Sequence, residues 1–378
     1  MRAITRVAPT TFMSTVDRIL QSELGDIAKK VFDGVRLDRE DGARLYHSKD
    51  LIAIGYLGDF VREKLHGKKA YFNVNRHIEP TNVCVLKCGL CAFGKNIRSE
   101  DAYTFSLEEI FQRAQEGAAE GATEFHIVGG LHPNLPFQYY LDMLRGLKER
   151  LPHIHLKAFT AVEIQFFADL ENTGIEDTLQ RLMDAGLDSM PGGGAEIFAE
   201  RVREIICKGK ISGERWLEIV RIAHRMGLHS NATMLYGHVE TYEERVDHML
   251  ALRDLQDETH GFKTFIPLAF HPANTPLEYL PETTGFDDLK NIAISRLLLD
   301  NFPHIKSYWI MVGTRIAQLS LRFGADDIDG TVAEERITHA AGAQTPQTLS
   351  RAELVRLIQE IGCIPVERDT LYQKLQPV

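Results

Sequence analysis

The 378-residue chain is short of several things, and each shortage narrows what it does. It contains no run of about 18 consecutive apolar residues, so no membrane span is expected. Met1–Thr11 has no apolar core of about 7–15 residues, as a secretory signal would, so the expected location is cytoplasmic. Basic charge is not in excess. Lys and Arg number 43 against 53 Asp and Glu, and a formal net charge of −10 speaks against a broad nucleic-acid-binding surface. It still leaves room for a small basic pocket. No fixed-period repeat or low-complexity stretch marks a repeat architecture. Apolar content of 44% and charged content of 25% are ordinary globular values, and this length buries a large core.

Cysteine is also scarce, with five residues, an odd count that makes a poor disulfide framework. Cys84, Cys88 and Cys91 stand together, whereas Cys207 and Cys363 are isolated and read as packing residues. In a reducing compartment a thiol cluster reads as a set of metal ligands.

The pattern along the chain divides it into three. Residues 1–66 read as a loose tail (1–11) followed by a helical extension with breaks at Gly25, Gly34, Gly42 and Gly55. Within it Leu51, Ile54, Leu57, Val61 and Leu65 form a helical stripe. From residue 67 to 335, short apolar runs alternate with amphipathic stretches. The expected strands are 71–79, 124–129, 154–161, 187–191, 229–235, 262–268, 304–312 and 325–330. The last is the weakest, since Asp326, Asp327 and Gly330 are poor strand residues. Helices are expected near 106–120, 137–151, 174–185, 196–226, 240–257, 286–301 and 313–323. Strand–helix alternation implies parallel strands, and eight of them suggest an α/β fold of the closed (β/α)8 TIM type. The N-terminal helical extension is expected to cap the lower mouth of this barrel. Residues 336–378 read as a linker and a helix near 350–361 packing on the barrel. An open doubly wound sheet is the alternative, but it would place a glycine fingerprint after its first strand. Here three cysteines stand in that place.

Those cysteines read Cys84-Val-Leu-Lys-Cys88-Gly-Leu-Cys91, a C-x3-C-x2-C spacing. One short loop can offer three thiolates to one face of a [4Fe–4S] cubane. Most such clusters take four cysteines, and none stands near as a fourth, so one iron is left open for a small molecule. The loop follows the first expected barrel strand, on the side where barrels carry their chemistry. Structural zinc is the competing reading. It wants four ligands in paired sets, and His77 and His126 lack finger-like spacing. An electron-transfer ferredoxin would want a fourth cysteine.

The spacing resembles the signature of the radical S-adenosylmethionine (SAM) superfamily, with Leu90 where an aromatic residue is frequent. The resemblance implies that the open iron chelates the amino and carboxylate groups of SAM, and that reduction of the cluster cleaves the S–C5′ bond. It also implies SAM contacts from Gly129 and Gly130, where Leu131 replaces the superfamily's glutamate. Further contacts would come from the Phe93 backbone, from Glu196 to the ribose, and from the stretch around Leu235, Gly237 and Glu240. Lys210 and Arg203 are candidates for the methionine carboxylate. The plain readings are a turn for the glycine pair, a helix N-cap acid for Glu196 and solvated helix residues for the two cations.

Longer segments are similar to a narrower family. Asn75-Arg-His-Ile-Glu-Pro-Thr-Asn-Val-Cys84, Phe125-His-Ile-Val-Gly-Gly-Leu-His-Pro133, Lys157-Ala-Phe-Thr-Ala-Val-Glu163 and Tyr308-Trp-Ile-Met311 resemble the aminofutalosine synthases of the futalosine route to menaquinone. The resemblance implies addition of a 5′-deoxyadenosyl radical to 3-[(1-carboxyvinyl)oxy]benzoate, aryl migration and loss of bicarbonate, with SAM consumed. It also implies a low-potential flavodoxin or ferredoxin as electron donor. A substrate with two carboxylates wants cations or hydrogen-bond donors. His77, His132, Lys157, Asn231, His238, Lys263 and His271 sit at strand ends, and His132, Asn231 and His271 are favoured as catalytic or pocket residues. Phe93, Phe159, Phe265, Phe270 and Trp309 would wall the site or fill the barrel core. The rivals are the cyclic dehypoxanthine futalosine synthases, the FO-synthase-type enzymes and, from another class, a non-catalytic iron–sulfur or zinc protein.

Overall fold

The structure is a computed structural model that describes residues 13–378, so the tail expected at 1–11 lies outside the described residues. Four helices come first: α1 (Thr15–Leu20), α2 (Gly25–Asp33), α3 (Arg39–His47) and α4 (Leu51–His66). Gly34 ends α2 in a left-handed cap. Gly42 and Gly55, expected as breaks, lie inside α3 and α4 instead. They are sites of close packing, Gly42 against Val246 and Leu298 and Gly55 against the ring of Phe323. At Gly58 a Cβ would stand 2.7 Å from the Phe323 carbonyl oxygen and 3.2 Å from the Cα of Ala293. Through these contacts α3 and α4 pack against Val246, Ala293 and Leu298 on the barrel's flank.

After β1 (Lys69–Phe72), which belongs to a separate small sheet, the barrel alternates strands and helices: β2 (Asn75–Ile78), α5 (Leu107–Ala119), β3 (Glu124–Ile127), α6 (Phe137–Arg150), β4 (His155–Ala158), α7 (Ala161–Glu171), α8 (Ile175–Ala185) and β5 (Ser189–Met190). It continues through α9 (Glu200–Ile206), α10 (Gly213–Arg225), β6 (His229–Tyr236), α11 (Tyr242–Thr259), β7 (Phe262–Ala269), α12 (Gly285–Leu298), β8 (His304–Ile305) and α13 (Trp309–Ser320). Strands β2 to β8 pair in sequence order and in parallel. Several helices start at capping boxes, in which a Ser, Thr or Asp and an acid three residues on satisfy each other's amides: Ser106 with Glu109, Thr160 with Glu163, Thr241 with Glu244. Among the described residues no helix is long and apolar enough to cross a membrane.

The eighth place in the ring is filled without a regular strand. The Asp326 amide donates to the Ile305 carbonyl at 3.0 Å, and the Tyr71 amide donates to the Asp326 carbonyl at 2.7 Å. Further on, the His77 amide reaches the Ala333 carbonyl at 2.9 Å, so segment 326–333 joins β8 to β1 and β2. Asp329 and Val332 have positive φ, which breaks the pleat expected over 325–330.

Other boundaries move for identifiable reasons. The run expected as one strand over 71–79 divides at Asn73–Val74 into β1 and β2. The run expected over 304–312 keeps only His304–Ile305 as strand. Trp309 opens α13, because a short apolar run serves a buried helix equally well. The helix expected over 196–226 is interrupted between Ile206 and Gly213. Helix α7 has no counterpart among the expected helices, its residues being largely buried and lacking a polar face.

Beyond the barrel the expected linker and helix are joined by more structure. After α14 (Ile337–Ala340) and α15 (Arg351–Glu360) come β9 (Ile364–Arg368) and β10 (Leu375–Pro377), and β9 pairs in parallel with β1. Arg368 reaches under the barrel, where its Nε meets Asp327 at 2.6 Å with both side chains buried. Breaking a buried ion pair costs about 3–5 kcal/mol, whereas an exposed one contributes about 1 kcal/mol or less. Arg368→Met is therefore expected to lower the unfolding free energy by about 3–5 kcal/mol. Arg351→Met, which loses a more exposed pair with Glu367, should change it by about 1 kcal/mol or less in urea unfolding followed by circular dichroism.

Candidate active site

The cysteine loop leaves the upper end of β2 and is closed at its base by its own backbone. The Cys84 amide donates to Lys95 at 2.9 Å and the Lys95 amide to Asn82 at 2.7 Å. The Asn82 side chain accepts from the Tyr103 amide at 2.7 Å and donates to the Asp101 carbonyl at 2.8 Å, which pins the loop from outside. The Gly129–Gly130 turn after β3 lies against it, with the Gly130 amide on the Thr81 carbonyl at 2.8 Å. A Cβ at Gly130 would collide with the Val83 carbonyl, so only glycine allows this approach.

Cys84, Cys88 and Cys91 are half-buried, unbridged and share one wall of a cavity of about 720 Å³. Burial raises the Cys84 thiol above its ordinary pKa and pushes Cys88 up to about 11. A metal that binds here must displace those protons. Cys207 is buried in the hydrophobic core, and neither it nor Cys363 lines the cavity. Three sulfurs on one loop facing open space fit a three-thiolate cluster with one free iron. They do not fit a four-ligand structural zinc site.

Of the residues singled out in the sequence, Phe93, Gly129, Gly130, Glu196 and Asn231 line this cavity with the three cysteines. Gly237, His132 and His271 do not. The Gly237 amide is tied to Glu240 at 2.6 Å, and Glu240 is paired with Arg245, so this turn supports the strand rather than the ligand space. The His132 ring accepts from the Asn134 amide, and His271 Nε2 is tied to the Met311 carbonyl. Arg203 spends its guanidinium on the carbonyls of Ala195, Ile197 and Ile211. Lys210 pairs with Glu196 at 2.7 Å. Burial opposes ionisation of Glu196, but the Lys210 ammonium overrides it and holds the carboxyl below its usual range. His238 and Lys263 are not on the cavity wall, and Phe159, Phe265, Phe270 and Trp309 fill the core.

The floor of the cavity is only partly visible in the sequence. Parallel register sets His77, His126 and Lys157 side by side on β2, β3 and β4. The two imidazoles stack at 4.5 Å with planes 6° apart. Burial, with His77 and Lys157 alongside, holds His126 well below its ordinary pKa and therefore neutral. Lys157 meets Glu124 at 2.5 Å, and Lys306 meets Asp329 at 3.1 Å. Period-two alternation from His126 back to Glu124 is the available signal for the first pair. Lys306 and Asp329 lie where no regular strand pattern could show it.

Comparison with known proteins points the same way. Residues 78–252 match the radical SAM superfamily and residues 259–378 the CofH/MqnC C-terminal region. The chain is 50% identical to the aminodeoxyfutalosine synthase of Thermus thermophilus, over 93% of this chain and 95% of that one. It is 47% identical to the aminodeoxyfutalosine synthase of Streptomyces coelicolor, over 93% and 94%. It belongs to the aminodeoxyfutalosine synthase family of the radical SAM superfamily. The fold agrees: a crystal structure of methylornithine synthase superposes with a TM-score of 0.70 at 19% identity, covering 90% of this chain and 97% of that one. As a radical SAM enzyme the chain uses a [4Fe–4S] cluster and SAM. For an aminodeoxyfutalosine synthase family member with this wall of sulfurs, single replacement of Cys84, Cys88 or Cys91 by alanine should reduce iron and sulfide to background after anaerobic reconstitution. Cys207→Ala and Cys363→Ala should retain both, with unchanged circular dichroism in all five variants.

Proposed function

We propose that the enzyme joins the 5′-deoxyadenosyl group of SAM to 3-[(1-carboxyvinyl)oxy]benzoate, with aryl migration and loss of bicarbonate, to give aminofutalosine for menaquinone biosynthesis. The observation that carries this reading is near-full-length identity of 50% to an aminodeoxyfutalosine synthase, in a chain whose one thiol loop opens on a polar-floored cavity. Cys84, Cys88 and Cys91 hold the cluster, and a low-potential flavodoxin or ferredoxin supplies the electron. When bound, the cluster and SAM together supply a 5′-deoxyadenosyl radical.

The chain's own residues bind, orient and keep water out. Backbone groups of Phe93, Gly129 and Gly130 meet SAM, and Glu196, kept ionised by Lys210, accepts hydrogen bonds from the ribose hydroxyls. At the floor, Lys157 and Lys306 each spend one hydrogen bond on a carboxylate among the described residues. An ammonium has three protons, so each retains donors for a substrate carboxylate. Asn231 and the neutral His126 add hydrogen-bonding groups. Above them Leu235, Ile266, Leu268 and Met311 form an apolar wall that limits water around a reactive intermediate.

The test is mass spectrometry after anaerobic incubation of reduced enzyme, SAM and the enolpyruvyl benzoate. An adenosyl product still joined to the substrate carbon, with one methionine released per product, is the expected outcome. Free 5′-deoxyadenosine as the main product would assign a hydrogen-abstracting reaction instead, as in the cyclic dehypoxanthine futalosine synthases.

A further inference from the structure

The cations on the cavity floor differ in where their acids stand. Lys157 is held directly by Glu124 and Lys306 by Asp329. His77, at the end of β2, has its acid behind it. Its Nδ1 is buried and unbonded among the described residues, 3.5 Å from Oε1 of Glu79, which is buried and unbonded as well. Its Nε2 is neither hydrogen-bonded nor sealed off among those residues, so this nitrogen is the one that His77 presents to the cavity it lines. Hydrogen bonds that orient a working side chain are often long before the ligand is bound.

Glu79 has no other visible task. It is 2% exposed, and among the described residues its one ion-pair contact is with His77. Arg336 acts on it only from further off. The acids on the cavity wall are engaged: Glu163 by the Thr160 and Gly129 amides, Glu196 by Lys210, and Glu335 by the Thr338 amide and His339. A buried carboxylate left without hydrogen bonds costs stability, so its place needs a reason in the site. Burial opposes ionisation of His77, but Glu79, Glu335 and Asp329 outweigh it and raise the imidazole above its ordinary pKa. His126, stacked on it at 4.5 Å, is held neutral. Two stacked imidazoles repel when both are charged, and the acids behind His77 decide which of them carries the proton.

We propose that His77 donates from Nε2 to the ring carboxylate of the substrate and that Glu79, facing Nδ1, is its positioning residue. The assignment rests on the proposed function, since it requires an enolpyruvyl benzoate in the cavity. The two carboxylates of that substrate stand at different heights. One is on the vinyl carbon bonded to the CH2 that meets the adenosyl group, so it stays level with the cysteine loop. The other is on the ring, meta to the ether oxygen, and is the end that reaches the floor. A carboxylate in front of Nε2 completes a charge-assisted hydrogen bond, and an acid on Nδ1 fixes the ring's orientation. Lys157 and Lys306 flank the same place, but each shares its ammonium with an acid of its own.

The test uses the full-length, reconstituted enzyme with SAM present and no reductant, so that nothing turns over. Two probes are compared by equilibrium dialysis: 3-[(1-carboxyvinyl)oxy]benzoate and 2-phenoxyacrylate, which lacks the ring carboxylate. The wild type should bind the benzoate about tenfold or more tightly than phenoxyacrylate, the scale of a charge-assisted hydrogen bond. In His77→Gln, which keeps bulk and a neutral donor, affinity for the benzoate should fall about fivefold or more, while phenoxyacrylate changes by less than about twofold. Glu79→Gln, close to the same shape, should lower the preference for the benzoate by about threefold or more. Retained phenoxyacrylate binding reports an intact site in each variant. Equal weakening of both probes or an unchanged preference in His77→Gln overturns the assignment, and an unchanged preference in Glu79→Gln overturns the part given to Glu79. The product of the reduced wild-type enzyme separates this assignment from the function it rests on. With an adenosyl adduct formed and the preference unmoved in His77→Gln, His77 is wrong and the function stands. With no adduct from the wild type, the function falls and this assignment with it.

Discussion

Three aspartates in the segment that closes the barrel each need a cation, and the rest of the molecule is arranged around that need. Asp326, Asp327 and Asp329 are at most 5% exposed. Asp326 is met by Arg296 from α12 and His304 from β8, Asp327 by Arg368 from β9 and Tyr372, and Asp329 by Lys306 just beyond β8. An unpaired charge at this depth is costly, so any register that separates one aspartate from its cation is penalised. This accounts for an eighth barrel position filled by an irregular segment. Side-chain pairing, more than strand propensity, fixes its place. It also accounts for the C-terminal strands, since Arg368 belongs to β9 and β9 is held by β1.

One of these pairs, Lys306 with Asp329, also forms part of the lower wall of the ligand space. Lys306 and Asp329 line the cavity, as does Lys157, whose partner Glu124 begins β3. A cavity whose floor carries paired charges and whose middle wall is apolar sorts its contents by polarity. An anionic end of a ligand finds donors below, the apolar body meets Leu235, Ile266 and Leu268, and the cysteine loop lies above. The volume of about 720 Å³ lies within the range of about 300–1,000 Å³ usual for small-molecule sites. Closing the barrel and shaping the site thus meet in one ion pair, Lys306 with Asp329.

The parts legible in the sequence are those with strong local patterns. Cys84, Cys88 and Cys91 announce themselves by spacing, and β6 and β7 by strand-length runs rich in β-branched, aromatic and other apolar residues between helical stretches. Asn231, Thr233 and Leu235 share one side because a strand has period two. What cannot be read there is set by distant partners. The segment 325–330 looks like a poor strand because its aspartates are chosen for Arg296, Lys306 and Arg368. The run Trp309–Val312 looks like strand until Trp309 Nε1 is seen donating to the Gly330 carbonyl at 2.9 Å from the first turn of α13. His132 and His271 are strand-end histidines like His77, but they lie off the cavity, with one ring nitrogen of each occupied, by the Asn134 amide and the Met311 carbonyl respectively. No local pattern distinguishes them.

Glu163 shows how one residue can carry two readings of the same motif. Thr160-Ala-Val-Glu163 is a capping box, and the box is formed. On an exposed helix start, solvent stabilises the acid and its role ends with the cap. Here the helix begins at the top of β4, inside the ring of loops, so the acid that satisfies the Thr160 amide is also withdrawn from water. Its two oxygens are engaged by neutral donors, the Gly129 amide and the Thr160 amide and hydroxyl, that fix its position. Burial at that place raises the carboxyl pKa to about 7, which the Thr160 and Gly129 hydrogen bonds and the more distant Lys210 charge only partly offset. A capping box at a barrel's upper rim therefore serves the helix and, by the same geometry, leaves one buried carboxyl facing the ligand space.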